Sequence, residues 1–220
     1  MRLFVLGGTG ATGGLFVEEA LAFGHEVAAY VRSPQKLRPQ TGLSVTVGDV
    51  LDADAMAEAM RGSDAVVSTL GLRSAKPDGF SENAQRAIVH AAQCSGTSRV
   101  VIMSAFGVGE SRAKASPLAR LMYAAGAKAI YADKAAGEKI LTASDLAWTL
   151  AYPVLLTNGR RSTGFTVTDL AQLAHLPGLP RVSRSDVAGF LLEAAADASW
   201  SRRTAVLTTR TLRCRTGGKM

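Results

Sequence analysis

The stretch Gly7-Gly8-Thr9-Gly10-Ala11-Thr12-Gly13 restricts the fold of this chain more than any other. It satisfies two overlapping spacings: Gly7, Gly10 and Gly13 read as G-x-x-G-x-x-G, and Gly8, Gly10 and Gly13 read as G-x-G-x-x-G. An apolar run of strand length, Arg2 to Leu6, precedes it, and a helix-length segment, Ala11 to Phe23, follows. Glycines in such a loop permit a tight turn, let the backbone approach a pyrophosphate, and let the helix pack close to the strand. The helix N-terminus then offers amide groups and partial positive charge to an anion. Position at the head of a βαβ unit is the context that gives this fingerprint its meaning. No Gly-Lys-Ser or Gly-Lys-Thr closes the motif, which excludes a P-loop.

Apolar runs and helix-length segments continue to alternate along residues 1–150, the pattern of a parallel sheet. Strands are expected near Arg2 to Leu6, Glu26 to Val31, Leu43 to Val47, Ala65 to Thr69, Arg99 to Met103 and Ala147 to Ala151. Their near-continuous apolar character suits strands covered on both faces. Helices are expected near Ala11 to Phe23, Ala53 to Met60, Glu82 to Cys94 and Ala129 to Ala143. Ser81 and Glu82 suit a cap for the third of these, and Gly24, Gly62 and Gly96 stand where helices end.

After Pro153 the pattern loosens, with a strand at Gly164 to Thr168, a helix at Ser185 to Ala196 and a late strand at Ala205 to Thr209. The predicted fold is α/β: a Rossmann-like, doubly wound parallel sheet with helices on both faces and a small C-terminal cap. Residues 1–210 read as a single NAD(P)-binding domain whose substrate-covering loops are mainly 105–128 and 153–184. Residues 211–220 read as a basic C-terminal tail whose order the sequence leaves open.

Charge narrows the partners. The 220 residues carry 25 Lys and Arg against 18 Asp and Glu, a formal charge of +7. Six of the basic residues and no acidic ones lie in residues 201–220, so the rest is nearly balanced, 19 against 18. The excess belongs to a tail and not to a folded basic face, which argues against nucleic acid. No apolar run approaches the roughly 18 residues of a spanning helix, so no membrane partner is expected. The opening M-R-L-F-V-L breaks at Gly7, so no export signal is read. Cys94 and Cys214 are too few for a disulfide framework, which makes a reducing cytoplasm the expected compartment. His25, His90 and His175 show no metal spacing, and no metal is expected. The expected partner is a small-molecule substrate, with the chain a monomer or homodimer.

The second strand selects the nucleotide. Chains that choose NAD usually place Asp or Glu there, about 20 residues past the glycines, to hold the ribose 2′-hydroxyl. This chain has Tyr30-Val31-Arg32-Ser33, and the Arg32 fork suits a 2′-phosphate, with Ser33 and Lys36 able to add to it. NADP, as NADPH, is therefore the expected cofactor. Asp49 and Val50 end the third strand, where Asp49 suits either an adenine amino group or the cap of the helix near Asp52. Ser68-Thr69-Leu70-Gly71 forms a backbone rail for the pyrophosphate and nicotinamide ribose.

Other residues keep two readings. The Ser104 hydroxyl, at a strand's carboxyl end, suits a carbonyl substrate or the satisfaction of nearby backbone groups. Lys134 suits ribose hydroxyls or an exposed i, i+4 pair with Glu138. Arg160 and Arg161 read as lining an anionic site or as solvated loop charges. No G-x-S-x-G elbow accompanies Ser104, which argues against a serine hydrolase.

These motifs resemble the atypical short-chain dehydrogenase/reductase family, its NAD(P)H-binding (NmrA-like) group, and within that the biliverdin reductase B / flavin reductase type. The resemblance runs from L-G-G-T-G-A-T-G through V-R-S, V-G-D-V and D-A-V-V-S-T-L-G. It continues at M-S-A-F, S-T-G-F-T-V-T and R-V-S-R-S-D-V-A-G-F-L-L. It implies that Gly7, Gly10, Ala11, Thr12 and Gly13 hold the pyrophosphate, Arg32 the 2′-phosphate, and that Asp49 faces adenine. It also implies that Ser104 lies beside the nicotinamide, Lys134 near its ribose and Pro153 at its carboxamide. Phe106, Tyr131 and Arg181 would then belong to the substrate pocket.

Two departures stand out. The Tyr-x-x-x-Lys pair of the central family members is absent, because Tyr131 precedes Lys134 by three positions. The stretch Gly107 to Lys128 differs, carrying Arg112, Lys114, Arg120 and Lys128 toward a pocket rim. The expected function is an NADPH-dependent oxidoreductase passing hydride to a conjugated acceptor such as a flavin, quinone or carbonyl compound, with Ser104 and Lys134 as its catalytic candidates. Two alternatives stay open: a non-catalytic NADP(H)-binding redox sensor, and an enzyme using the scaffold for a non-redox cyclisation, dehydration or epimerisation.

Overall fold

A computed structural model describes residues 1–71, 79–126 and 128–209, with backbone alone for residues 122–126. The glycine loop joins β1 (Arg2–Leu6) to α1 (Ala11–Ala22). Next come β2 (Glu26–Val31), β3 (Leu43–Val47), α2 (Ala53–Met60), β4 (Ala65–Ser68), α3 (Phe80–Ser95) and β5 (Arg99–Met103). Then follow α4 (Pro117–Gly126), α5 (Lys128–Thr142), β6 (Ala147–Pro153), β7 (Leu155–Thr157) and β8 (Phe165–Asp169). The described chain ends with β9 (Arg181–Ser183), α6 (Arg184–Ala196) and β10 (Arg203–Thr209).

Eight strands form one sheet in the order β3-β2-β1-β4-β5-β6-β10-β8. Every pairing in it is parallel except β10 with β8, so an antiparallel strand closes one edge. A separate two-stranded parallel sheet pairs β7 with β9. The side chains of β1, β4 and β5 are buried on both faces, apart from partial exposure at Arg2 and Met103. One helical layer pairs α1 with α6, and the other lays α3 between α2 and α5. From β1 the chain runs outward to β2 and β3, then returns on the other side as β4. That reversal opens a crevice at the carboxyl ends of the strands, where open α/β sheets bind ligands.

Several details differ from the sequence expectation. The third strand is not covered on both faces: after half-buried Leu43, residues Ser44 to Val47 are exposed, with Val47 63% exposed. It is the sheet edge, and apolar character alone does not distinguish an edge strand from an inner one. Helix α4 lies in a stretch read only as loop. Pro117 occupies its first position, where the missing amide hydrogen costs nothing, and the Ser116 hydroxyl caps it by accepting from Ala119 N at 3.2 Å. Gly24, Gly62 and Gly96 do end helices in the left-handed region, with φ of +78°, +75° and +79°. The tail at residues 211–220 lies outside the described residues.

Two of the cations in the Gly107 to Lys128 stretch are held by backbone carbonyls. Lys114 Nζ donates to the carbonyls of Leu170 (2.7 Å) and Leu173 (2.6 Å), and Arg120 donates to those of Ala115 (2.9 Å) and Ala113. Arg161 pairs with Glu19 of α1 and lies against Gly189 of α6, so it ties the loop to that helical layer.

One buried cation fastens α6 to the sheet. Arg99 at the start of β5 is 8% exposed, and its guanidinium donates to the carbonyls of Ala194, Asp197 (2.8 Å) and Ala147 (3.3 Å) and to Thr149 Oγ1 (3.1 Å). It thereby satisfies carbonyls at the helix C-terminus that have no intrahelical donor. Burial lowers its pKa, opposed by Asp197. Arg99→Met should destabilise the fold by about 2–4 kcal/mol, because buried carbonyls lose a charged donor. Urea unfolding checks this, and a change below about 0.5 kcal/mol, the scale of an ordinary surface substitution, contradicts the anchoring role.

Candidate functional site

At the centre of the site is a close contact between two glycines. A Cβ on Gly13 would stand 2.2 Å from the Gly7 carbonyl oxygen and 2.6 Å from Thr69 Oγ1. Gly7 has φ +81°, and a Cβ there would meet Thr69 Oγ1 at 2.8 Å. The Thr69 hydroxyl is 3.2 Å from the carbonyls of both Leu6 and Gly7, able to donate to either, and Gly10 N donates to Gly7 O at 2.9 Å. Gly8 is under no comparable constraint, its nearest neighbour being Val17 Cγ2 at 3.4 Å. The operative spacing is therefore Gly7, Gly10, Gly13.

Helix α1 begins with Gly10 as a cap that has no side chain to accept from the first turn. The amides of Ala11, Thr12 and Gly13 thus belong to an uncapped N-terminus, which favours a negative charge. Glycines that no side chain can replace and uncapped amides together fit a dinucleotide pyrophosphate.

Beyond the loop runs a crevice of about 200 Å³, whose wall includes Gly7, Thr9, Gly10, Tyr30, Arg32, Val50, Leu70 and Gly71. Arg32 follows β2 directly and is exposed, and among the described residues no carboxylate pairs with it. Ser33 and Lys36 lie in the short 3₁₀ turn after it and do not line the crevice. Tyr30 lies across Gly48, where a Cβ would fall 2.0 Å from its hydroxyl oxygen, and that hydroxyl donates to Asp49 O at 3.3 Å. Burial raises the Tyr30 pKa, with Asp52 and Asp49 adding to the rise.

The crevice wall passes through Gly48 and Val50, while the Asp49 carboxylate accepts from Leu51 N at 3.0 Å. The cap of α2 is Asp52, which accepts from Ala55 N at 3.1 Å, so that reading of Asp49 is corrected.

Leu70, Gly71 and Phe80 are shared between the crevice and a smaller recess of about 40 Å³, which also borders Ser68, Gln85, Ser104, Lys134 and Glu138. Helix α5 is set against α3 by two residues. Asp133 accepts from the amides of Ser81 (3.0 Å) and Glu82 (3.1 Å), capping α3 from another element because its own cap, Gly79, has no side chain. Ser81 and Glu82 are therefore capped residues and not the cap. Gly137 allows the close crossing, since a Cβ there would meet Ser81 O at 2.8 Å. The next residue after each, Lys134 and Glu138, lines the recess.

Glu138 is not an exposed partner of Lys134. It is 7% exposed, and Tyr152 of β6 donates its hydroxyl to Glu138 Oε2 at 2.5 Å. Among the described residues, Ser104 Oγ and Glu138 Oε1 are buried with no hydrogen bond of regular geometry to any partner. Burial pushes the Glu138 carboxyl up, while Ser104, Tyr152 and the Lys134 charge oppose the rise. Burial pushes half-buried Lys134 down, against the pull of Glu138 and Asp133. Burial and the neighbouring Glu138 also raise the Tyr152 phenol.

The other expected pocket residues lie elsewhere. Tyr131 is half-buried against the core, its phenol raised by burial, and it does not line the recess. Phe106 faces a separate small cavity with Ser116, Ala119, Val154 and Leu176, and its amide donates to Pro153 O at 3.0 Å. Pro153 is buried at the end of β6 and lines neither the crevice nor the recess. Arg181 is exposed at the start of β9, where its carbonyl accepts from the Thr209 hydroxyl at 2.6 Å. Among the described residues no three His, Cys, Asp or Glu side chains gather to hold a metal, and no helix is long and apolar enough to cross a membrane.

The family described as NAD(P)H-binding matches residues 7–198. A 3-beta-hydroxysteroid dehydrogenase of Mycolicibacterium neoaurum is 30% identical over 112 residues, which is 46% of this chain but only 31% of that protein. Solved structures share the fold along nearly the whole length. An anaerobillin reductase, ChuY, from Escherichia coli O157:H7 has a TM-score of 0.79 at 24% identity, covering 97% of this chain and 99% of its own. A short-chain dehydrogenase/reductase from Veillonella parvula, solved in complex with NADP, has a TM-score of 0.80 at 17% identity, covering 96% and 95%. These matches fit the atypical short-chain dehydrogenase/reductase group.

Gly13→Ala forces its new methyl against the Gly7 carbonyl at 2.2 Å, which the backbone must move to relieve. Dinucleotide affinity measured by calorimetry should fall at least about tenfold, the scale of about 1.4 kcal/mol of lost contact. Unchanged affinity contradicts the assigned role of the contact.

Proposed function

This chain belongs to the NAD(P)H-binding family. From that premise we propose an NADPH-dependent oxidoreductase that passes a hydride to a conjugated acceptor such as a flavin, a quinone or a carbonyl compound. The observation that carries the reading is the layout of the crevice. Arg32, a cation with no carboxylate partner among the described residues, stands at one end, the glycine cradle in the middle, and a recess with Ser104, Lys134 and Glu138 at the other. The NADP-bound Veillonella structure and the reductase from Escherichia coli support a reductase on this fold.

When bound, the dihydronicotinamide supplies the hydride; the chain's own residues supply the rest. The first turn of α1 holds the pyrophosphate through its backbone amides, and Gly7, Gly10 and Gly13 leave no side chain to compete for the space. The Arg32 fork holds the 2′-phosphate with charge-assisted hydrogen bonds. Lys134, held on α5 by the Asp133 cap, is placed for the ribose hydroxyls, and the Ser104 hydroxyl orients the acceptor. Hydride transfer to a conjugated acceptor depends mainly on such positioning. No Tyr-x-x-x-Lys pair is needed for it.

Stopped-flow oxidation of NADPH with a panel of flavins, quinones and carbonyl compounds tests the reading. Turnover with at least one class is the expected result, and no turnover with any acceptor rejects it. Cofactor choice has its own test: Arg32→Ala should weaken NADPH binding by about 1.5–3 kcal/mol, the scale of hydrogen bonds to a charged group, while sparing NADH. Equal losses for both cofactors show that Arg32 does not read the phosphate.

A further inference from the structure

We propose that Glu138 is the proton source of this site, acting through the Ser104 hydroxyl to protonate a heteroatom of the acceptor as the hydride arrives. The proposal rests on the reductase reading above and narrows its substrate class to acceptors whose reduction places negative charge on oxygen or nitrogen in the inner recess.

The geometry assigns each oxygen a task. Tyr152 donates to Glu138 Oε2, so a proton on the carboxyl resides on Oε1. Among the described residues, Glu138 Oε1 and Ser104 Oγ, with Gln85 Oε1, are the three buried oxygens at this recess without a hydrogen bond of regular geometry, and the Ser104 hydroxyl is close enough to stabilise the Glu138 carboxylate. A buried polar atom left unpaired costs stability. At about 40 Å³ the recess exceeds the roughly 10–15 Å³ that one water needs, so water can return the spent proton.

Among the described residues, the charged and titratable groups around Glu138 are few. Lys134 and Asp133 come from its own helix, Tyr152 from β6, and Glu110 acts on Tyr152 from the 3₁₀ turn at Gly109–Lys114. From α3 the recess receives uncharged Gln85 and Ser81. Burial favours the protonated carboxyl at Glu138, consistent with the role.

The step balances. A hydride, carrying two electrons, moves from the dihydronicotinamide to the acceptor. The acceptor heteroatom takes the Ser104 hydroxyl proton, Ser104 takes the proton from Glu138 Oε1, and the resulting carboxylate is reprotonated by water. The products are NADP and an acceptor gaining two hydrogens. Glu138 acts through Ser104 and is therefore a positioning and proton-storing residue, not one that touches the substrate.

The test is the pH profile of single-turnover NADPH oxidation with a water-soluble quinone and with FMN. In the wild-type protein the rate should fall as pH rises through the Glu138 titration. Glu138→Gln should bind NADPH as the wild type does, slow the step by about 100-fold, the scale of a lost general acid, and lose that limb of the profile. Tyr152→Phe removes the hydrogen bond that favours the carboxylate, so its limb should shift to higher pH. It also serves if Glu138→Gln does not fold.

A wild-type rate and profile in Glu138→Gln, a uniform loss with the profile unchanged, or an unmoved limb in Tyr152→Phe overturns the proposal alone. Absence of turnover by the wild-type protein with any acceptor removes the reductase reading, and the proposal with it.

Discussion

The approach of Gly13 to the Gly7 carbonyl fixes how β1, α1 and β4 meet, and the rest of the site takes its position from that meeting. With no Cβ at either residue, the first turn of α1 drops against the end of β1, and the Thr69 hydroxyl reaches the Leu6 and Gly7 carbonyls. The two strands flanking the reversal of the sheet are thereby joined at their carboxyl ends. The uncapped N-terminus of α1 starts from Gly10, in the wall of the crevice, as a consequence. A side chain larger than hydrogen at position 13 would push the helix off the strand and displace the anion site with it.

The same device recurs at the other end of the crevice. Gly137 lets α5 cross α3 closely, and Asp133 takes up the α3 amides that Gly79 leaves uncapped. The crossing places Lys134 and Glu138 in the recess beside Ser104. Elsewhere the interior satisfies its buried charges thoroughly, as Arg99 does with three carbonyls and a hydroxyl. The recess does not: a carboxyl oxygen, a serine hydroxyl and the Gln85 side-chain oxygen remain without partners. Three of the five buried side-chain polar atoms without partners among the described residues thus gather at this one recess, a concentration that points to function.

Much of this was legible in the sequence, because the placement of strands and helices and the glycine loop between them follow from local signals. Glycine spacing after an apolar strand identified the cradle, and the residue that follows the second strand identified Arg32. What stayed hidden depends on contacts between distant elements. Glu138 reads as a solvated helix charge until Gly137 is recognised: glycine inside a helix signals close packing, and its neighbours are then buried. The Asp133 cap joins residues more than fifty positions apart, which no local pattern encodes. The resemblance carried the position of Phe106 but not the direction of its side chain, which enters a different cavity. Cations expected at a pocket rim, Lys114 and Arg120, are held by backbone carbonyls because the loops they stabilise fold back on one another.

The proposed function requires a dinucleotide to lie in one direction along the crevice that runs from Arg32 to the recess at Ser104. A crystal structure of the protein soaked with NADP tests that directly. The 2′-phosphate should lie against the Arg32 guanidinium, the pyrophosphate over Gly10 and the first turn of α1, and the nicotinamide beside Ser104. A nucleotide bound in the opposite direction, or outside the crevice, contradicts it.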